Sequence, residues 1–545
     1  MSPEKIRRSK AAHLYSIFIA TLFFLLGISL LAASRRPLIR YLTGTLTGRN
    51  ETLCKNCNVV VISLDTLSAR HLPCYGYAKN TMPNLCAFAR KNIWFTNSYS
   101  QSFFTLPSHF SLFTSLYPST HGVLETLVDS LDQRNLTLTQ VLQKHGYNTL
   151  YFGPTKNEEI PLDKGFERGF DYIDPNYEYD RRYAMQNWTK GIEMLKENQR
   201  QGKPTFLFLH SYYVHEPYLP MTRSLHFTKE NIPNIPVTTE EYYKATPELI
   251  SFIQKYFKQN PLKRTLEPTL QAAYQAFLAN NNYEATAKLY AQLAQNDCSD
   301  FCWPIDIYYY RNNKQNPQYV AYIEALYDEL AWQLDERLTT FLSSLQPLLQ
   351  ENTILILTAD HGEGFMEHGE LFHTTLYNEI LRVPLVMSIP NLRAKIIRNP
   401  VESIDIYPTI LDILGFQPES PVEGANLTGV ILGLPLSRGK QYIISELYNT
   451  VPDIQKQKTI IDSRWKLLVK NIDDLSNPQN IELYNTQKDP GDRINVASRY
   501  PSVVKRMLEQ VQQFMVNHYV TFPNLLPKTP EIIQEEIQKQ QYFHY

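Results

Sequence analysis

The chain has 545 residues, room for one large α/β domain with elaborations at roughly 100–200 residues per domain, and too many for a small disulfide-stapled scaffold. Its 53 Lys and Arg balance 54 Asp and Glu, a formal net charge of -1, so no bulk field draws it onto nucleic acid and no nucleic-acid partner is expected. Hydrophobic residues at 43% and charged residues at 20% match ordinary globular usage and exclude a largely disordered chain.

The first element is residues 14–33, LYSIFIATLFFLLGISLLAA, a charge-free run whose helical length of about 30 Å matches a hydrocarbon core. Residues 1–34 are therefore expected to form an N-terminal membrane anchor, with a cleaved signal peptide ending near Ala32 and Ala33 as the alternative. Either route exports the rest of the chain. The expectation is a single-pass membrane protein, partnered with the bilayer through this helix, whose catalytic domain faces the periplasm, the exterior or a lumen. Residues 35–57 read as a stalk. Six cysteines suit an oxidising compartment: the CKNC pair Cys54 and Cys57 and the CSDFC pair Cys298 and Cys302 are expected as disulfides, with a zinc site the alternative. Cys74 and Cys86 lie inside structured motifs.

Residues 58–64, NVVVISL, are a β-branched run of the kind buried on both faces of a parallel sheet, and they end at Asp65. Further strands are expected at 147–152, 205–209, 353–357 and 384–387, separated by helical stretches such as 135–145 and 322–345. Strands alternating with helices predict a mostly parallel sheet with helices on both faces. Ligands bind beyond the carboxyl ends of such strands, where this chain places Asp65, His210 and the pair Asp360 and His361. Residues 225–320 break the rhythm with a polar, Tyr- and Gln-rich helical pattern and read as an insertion packed beside the core.

Seven segments, in order, resemble the sulfatase family of the alkaline phosphatase superfamily: VVVISLDTLSARHLPCYGYAKNTMPNL, TLPSHFSLFTSLYPSTHGV, GFERGFDYI, FLFLHSYYVHEPY, TADHGEGFMEHGELFHTTLYNEILRVPL, SIDIYPTILDILG, and RWKLL with ELYNTQKDP. The resemblance implies an alkaline-phosphatase-like α/β fold, with a catalytic domain over 58–424, a smaller C-terminal antiparallel sheet within 425–525, and an unassigned tail at 526–545. It also implies a divalent metal ion, Zn, Mn, Mg or Ca, held by Asp65, Thr105, Asp360 and His361. A rigid Asp at a strand end, with a second Asp and an imidazole, is a mixed oxygen and nitrogen donor set for such ions. Where family members carry two acidic residues this chain has Asp65-Thr66, so one anionic ligand is missing and calcium-type coordination is in doubt.

Where sulfatases have Cys or Ser followed by x-Pro-x-Arg, this chain has Thr105-Leu106-Pro107-Ser108-His109. Pro107 suits the first turn of a helix, so Thr105 is either the nucleophile at a helix N-terminus or an ordinary N-cap. The helix dipole and a cation would both favour its alkoxide. Family sulfatases convert the Cys or Ser to formylglycine; threonine cannot yield that aldehyde, so no formylglycine is expected. The reading that follows is a hydrolase or transferase acting on phosphoesters through a covalent phosphothreonine. The alternatives are a sulfuric ester hydrolase and a catalytically inactive, sulfatase-like binding protein. His109, where the family has Arg, is expected to act in catalysis with His215 and His373, and His210, His215 and His373 match positions that bind substrate or a second metal.

Overall fold

The computed structural model describes residues 52–124, 129–154, 162–175, 186–216, 218, 226–227, 314–435, 442–448 and 456–521. The predicted anchor at 14–33, the tail at 526–545, Cys298, Cys302 and most of the 225–320 insertion lie outside these residues. The membrane placement is corrected here: among the described residues no helix is long and apolar enough to cross a membrane.

Strand β1, Asn58–Leu64, is the centre of the molecule. It pairs in parallel with β5, Thr205–Ser211, on one side and with β6, Thr353–Thr358, on the other. Alternation does the rest: Val60, Ile62 and Leu64 face one apolar cluster while Val59 and Val61 face another. The first cluster is closed by the helices Gln186–Arg200 and Pro317–Glu351, and the second by Thr105–Thr114, Leu138–Lys144 and Ile406–Leu414. Each of these β1 side chains has 0% exposure, which at about 1.5–3 kcal/mol per buried aliphatic side chain makes this run a large contributor to the fold. The result is a sheet between two helical layers.

The remaining strands are β2, Ile93–Tyr99; β3, Asn148–Phe152; β4, Tyr172–Ile173; β7, Arg382–Ser388; β8, Lys395–Ile397; and β9, Val401–Glu402. Their order is β4-β3-β5-β1-β6-β7-β2-β8, with β9 also on β2. The sheet is mostly parallel, as expected, but β7 runs antiparallel to both β6 and β2. The cause is the connection 359–381, which stays at the carboxyl edge of β6, so the chain re-enters the sheet from that edge.

A second, antiparallel sheet comprises β10, Ile443–Leu447; β11, Gln457–Ile461; β12, Trp465–Val469; and β13, Ile481–Asn485. Helix Pro501–Thr521 covers one face through Met507, Val511 and Phe514. The other face, with Ile443, Leu447, Ile461 and Leu468, packs on Phe103, Leu376, Ile380 and Leu381. The small sheet thus braces the two loops that flank Thr105 and follow His373. Buried Lys466 tightens this contact by donating to Asn378 Oδ1 at 2.9 Å and Asp492 Oδ2 at 2.5 Å. Cys54 pairs with Cys57 as expected, and Cys74 pairs with Cys86, a bridge the sequence reading left unassigned.

Directly after His361 the backbone passes very close to the 379–380 segment. Gly362 N–H donates to Ile380 O at 2.6 Å, and a Cβ on Gly362 would meet Glu379 O at 2.2 Å. That obstacle is backbone and cannot rotate away. Gly362→Ala is expected to cost about 1–3 kcal/mol through this overlap, read as a lower urea midpoint at unchanged slope, with divalent-metal affinity reduced as His361 shifts.

Candidate metal centre

The register of the central strands builds the site. Ser63 of β1 is level with His210 of β5 and Thr358 of β6, so the residues just beyond, Asp65, Asp360 and His361, emerge together at the carboxyl edge. Thr105 enters from another element. It is the first residue of helix Thr105–Thr114, Phe104 occupies the N-cap position, and no side chain caps that helix. The Thr105 hydroxyl is therefore not a cap: it donates to Asp65 Oδ2 at 3.3 Å and lies 3.4 Å from His361 Nε2.

His361 Nδ1 donates to Gly362 O at 3.0 Å, which fixes the tautomer and leaves the Nε2 lone pair facing the cluster. Nε2 is 3.5 Å from Asp360 Oδ2 and 3.9 Å from Asp65 Oδ1. Burial pushes the His361 imidazole down to about 4, so it is neutral at neutral pH and able to ligate. Burial opposes ionisation of Asp360, but the imidazoles of His361, His109 and His210 more than offset it and hold its carboxyl well below the usual range. Asp360 Oδ1 accepts from the N–H groups of His361 at 2.9 Å and Thr66 at 3.3 Å, whereas Oδ2 is buried with no hydrogen-bond partner.

Asp65, Asp360 and His361 offer donor atoms that all lie within 4.8 Å of one another. Ligand bonds of 2.0–2.1 Å in a tetrahedral site place donors about 3.3 Å apart, close to the 3.3 and 3.4 Å from Thr105 Oγ1 to Asp65 Oδ2 and His361 Nε2 and the 3.5 Å from His361 Nε2 to Asp360 Oδ2. The partnerless Asp360 oxygen and the proton-free His361 nitrogen fit a divalent cation, which Asp65, Asp360, His361 and Thr105 would hold.

The other expected residues fall around this cluster in different roles. His210 Nε2 donates to Asp65 Oδ2 at 3.1 Å and fixes that carboxylate; burial holds its imidazole well below the usual range. His109 donates from Nδ1 to Thr105 O at 2.8 Å and accepts at Nε2 from Ser63 Oγ at 3.0 Å. Both of its nitrogens are spent inside the protein, so it ties the helix start to β1 and does not face a ligand. His373 and His215 stand on the far side: their rings are 5.4 Å apart, and that of His373 is 4.5 Å from that of His361. His373 Nδ1 donates to Glu363 Oε1 at 3.1 Å, and Glu363 accepts from Tyr218 at 2.7 Å. Burial pushes the Glu363 carboxyl up to about 7.

Four contributors were not legible as site residues. Ser63 is the one hydroxyl in the apolar run NVVVISL, a break in pattern that could have marked it. Glu216 and Tyr218 lie in the segment quoted for His215 and carried a signal only by proximity. Tyr327, which donates to Thr66 O at 2.8 Å, comes from the long helix 261 positions away and gave none. Thr66 itself sits at φ 56°, an uncommon conformation for a β-branched residue, with Oγ1 buried and partnerless.

Comparison with known proteins bears on the chemistry. The rat (Rattus norvegicus) protein named arylsulfatase K is 23% identical over 491 residues, covering 84% of this chain and 77% of its own. An N-acetylglucosamine-6-O-sulfatase of Bacteroides thetaiotaomicron is 23% identical over 407 residues, covering 69% and 71%. A solved structure described as a complex with its substrate D-glucosamine-2-N,6-O-disulfate aligns with a TM-score of 0.62 at 20% identity, covering 87% of this chain and 100% of that one. These names overturn the phosphoester reading in favour of its sulfate-ester alternative. The physical error was to let one side chain choose the anion: replacing Cys or Ser by Thr105 changes the attacking group, whereas sulfate and phosphate esters present the same tetrahedral oxygens to a cation. The profile for the C-terminal part of N-sulphoglucosamine sulphohydrolase matches residues 366–517. The sulfatase profile matches residues 57–416, more than half of the chain, and the protein belongs to the sulfatase family.

Proposed function

We propose that this protein binds a sulfate ester, of the sulfated-sugar class its relatives are named for, against a divalent cation held by Asp65, Asp360, His361 and Thr105, and hydrolyses it through the unmodified Thr105 hydroxyl. The carrying observation is the position of that hydroxyl, 3.3 Å from Asp65 and 3.4 Å from His361. When bound, the cation would polarise a sulfate oxygen and favour ionisation of the hydroxyl. Thr105 Oγ attacks sulfur, the alcohol leaves with a proton, and water then releases sulfate from the threonine ester. His109 and His210 hold Thr105 and Asp65 in place throughout.

A second reading keeps the ligand but not turnover. A threonine ester lacks the second hydroxyl of an aldehyde hydrate, so it has no internal route of breakdown, and the chain would then bind or trap sulfate esters. The donor set of two carboxylates, one imidazole and one hydroxyl supports zinc or manganese over calcium, which takes six to eight oxygens.

Incubation with p-nitrophenyl sulfate and with glucosamine 6-sulfate, followed by intact-mass and peptide analysis, is expected to show release of the alcohol and a sulfate adduct on Thr105. Repeated turnover supports hydrolysis, a single burst supports trapping, and neither product would remove the proposal. Thr105→Ala is expected to lower alcohol release at least about 10³-fold with metal content retained, whereas Asp360→Asn loses metal and activity together. Thr66→Asp restores an anionic oxygen beside Asp65 and is expected to raise calcium affinity about tenfold or more, measured by calorimetry.

A further inference from the structure

We propose that His368 is a cationic latch, protonated in the folded chain, that docks the C-terminal subdomain onto the 359–381 connection and releases it as pH rises. His368 sits at the tip of a narrow turn in that connection, where Phe365 bridges to Leu371 and Met366 N–H donates to Glu370 O at 2.9 Å. From there its ring reaches two elements at once. Nδ1 lies 2.6 Å from Glu379 Oε1, near the end of the connection, and Nε2 lies 2.7 Å from Asp492 O, in the loop after β13. With the carboxylate ionised both partners are acceptors, so both ring nitrogens must carry a proton, and only the imidazolium does that.

Two further observations support the charge. Glu379 is 3% exposed, and its other oxygen, Oε2, is buried with no hydrogen-bond partner, so the ion pair with His368 supplies the counter-charge this carboxylate needs. The imidazole also lies flat on Tyr377, with ring centroids 3.6 Å apart and planes 6° from parallel, on a face that attracts a cation. Burial opposes the charge, but the hydrogen bond and charge of Glu379 and the carbonyl of Asp492 more than offset it and raise the pKa above its ordinary value.

The other charged groups around the ring are spent elsewhere. The Asp492 carboxylate accepts from buried Lys466 Nζ at 2.5 Å and from Asn378, and these bonds hold Asp492 at φ 53°, an uncommon backbone for a residue with a side chain. Glu482 accepts from Tyr377 O–H at 2.8 Å, and Glu367, next to His368, pairs with Arg70 at 2.8 Å. Glu379 is also the residue whose carbonyl lies against Gly362, beside His361, so His368 is a positioning residue for the metal centre, acting through the 379–380 segment. Because its folded pKa is raised, the latch is fully engaged below 6.5, the ordinary imidazole value, and is lost as pH rises through the folded pKa. Neither state of the latch requires turnover or a bound cation.

Amide hydrogen exchange of the full-length chain between pH 5 and pH 9, read by mass spectrometry and corrected for its intrinsic pH dependence, tests the proposal. Peptides covering 366–372 and 489–494 are expected to lose protection about tenfold or more over that interval, the change that one pKa unit carries, while peptides from β1 keep theirs. His368→Gln is expected to show low protection in both peptides at either pH. Glu379→Gln is expected to move the midpoint of the loss down by about one unit or more, because the carboxylate that raises the pKa is gone. Protection unchanged from pH 5 to pH 9 in the unaltered chain overturns the proposal, as does the same pH-dependent loss in His368→Gln. If His368→Gln does not fold, the near-isosteric Glu379→Gln decides the matter, and an unmoved midpoint there overturns the proposal.

Discussion

Two carboxylates, Asp65 and Asp360, are buried side by side at the ends of neighbouring parallel strands, and their like charge must be sustained without water. An unpaired buried carboxylate costs several kcal/mol, so the fold supplies partners from every direction: the N–H groups of Thr66 and His361 on Asp360, and the His210 imidazole on Asp65. The atom left over is Asp360 Oδ2, turned towards the proton-free nitrogen of His361. A divalent cation would complete this arrangement, as a lone proton or a single side chain would not.

The rest of the molecule holds that geometry. Gly362 allows the chain to turn under the 379–380 segment, and Ser68 Oγ donates to Glu379 O at 2.7 Å from the loop that follows Asp65. The small antiparallel sheet packs against Phe103 and Leu376–Leu381, so its removal would loosen Thr105 and His373 together. Lys466, Asn378 and Asp492 form the polar centre of that contact, and His368 links it to Glu379 by hydrogen bonds of 2.6 Å to Oε1 and 2.7 Å to Asp492 O. Stability and site geometry are therefore coupled.

Much of this was legible in the chain because it obeys local rules. NVVVISL ends at Asp65 and TILILT precedes Asp360, so a buried strand delivering a carboxylate could be read from patterning alone, and the delivery of Asp65, His210, Asp360 and His361 to one edge followed from the expectation of a mostly parallel sheet. What escaped depends on contacts between distant residues. The antiparallel course of β7 is set by where its preceding loop lies, the Ser63 partnership of His109 by helix placement, and the Tyr327 contact by the docking of a helix 261 positions away in the chain, which its own pattern does not reveal. His109 shows the difference well: the sequence marked a site position, but only the engagement of both nitrogens showed that it anchors Thr105. The anion was misread because tetrahedral esters of sulfur and phosphorus make the same demands on a cation site.

The central claim is that a cation sits among Asp65, Asp360 and His361 in contact with the Thr105 hydroxyl. Crystals of the full chain soaked in zinc, with data collected at the zinc edge, test it through the anomalous difference map. The account predicts a peak about 2.0–2.2 Å from the donor atoms of Asp65, Asp360 and His361, with Thr105 Oγ1 beside it. Anomalous density confined to other places, or a Thr105 hydroxyl turned away from an occupied centre, would contradict it.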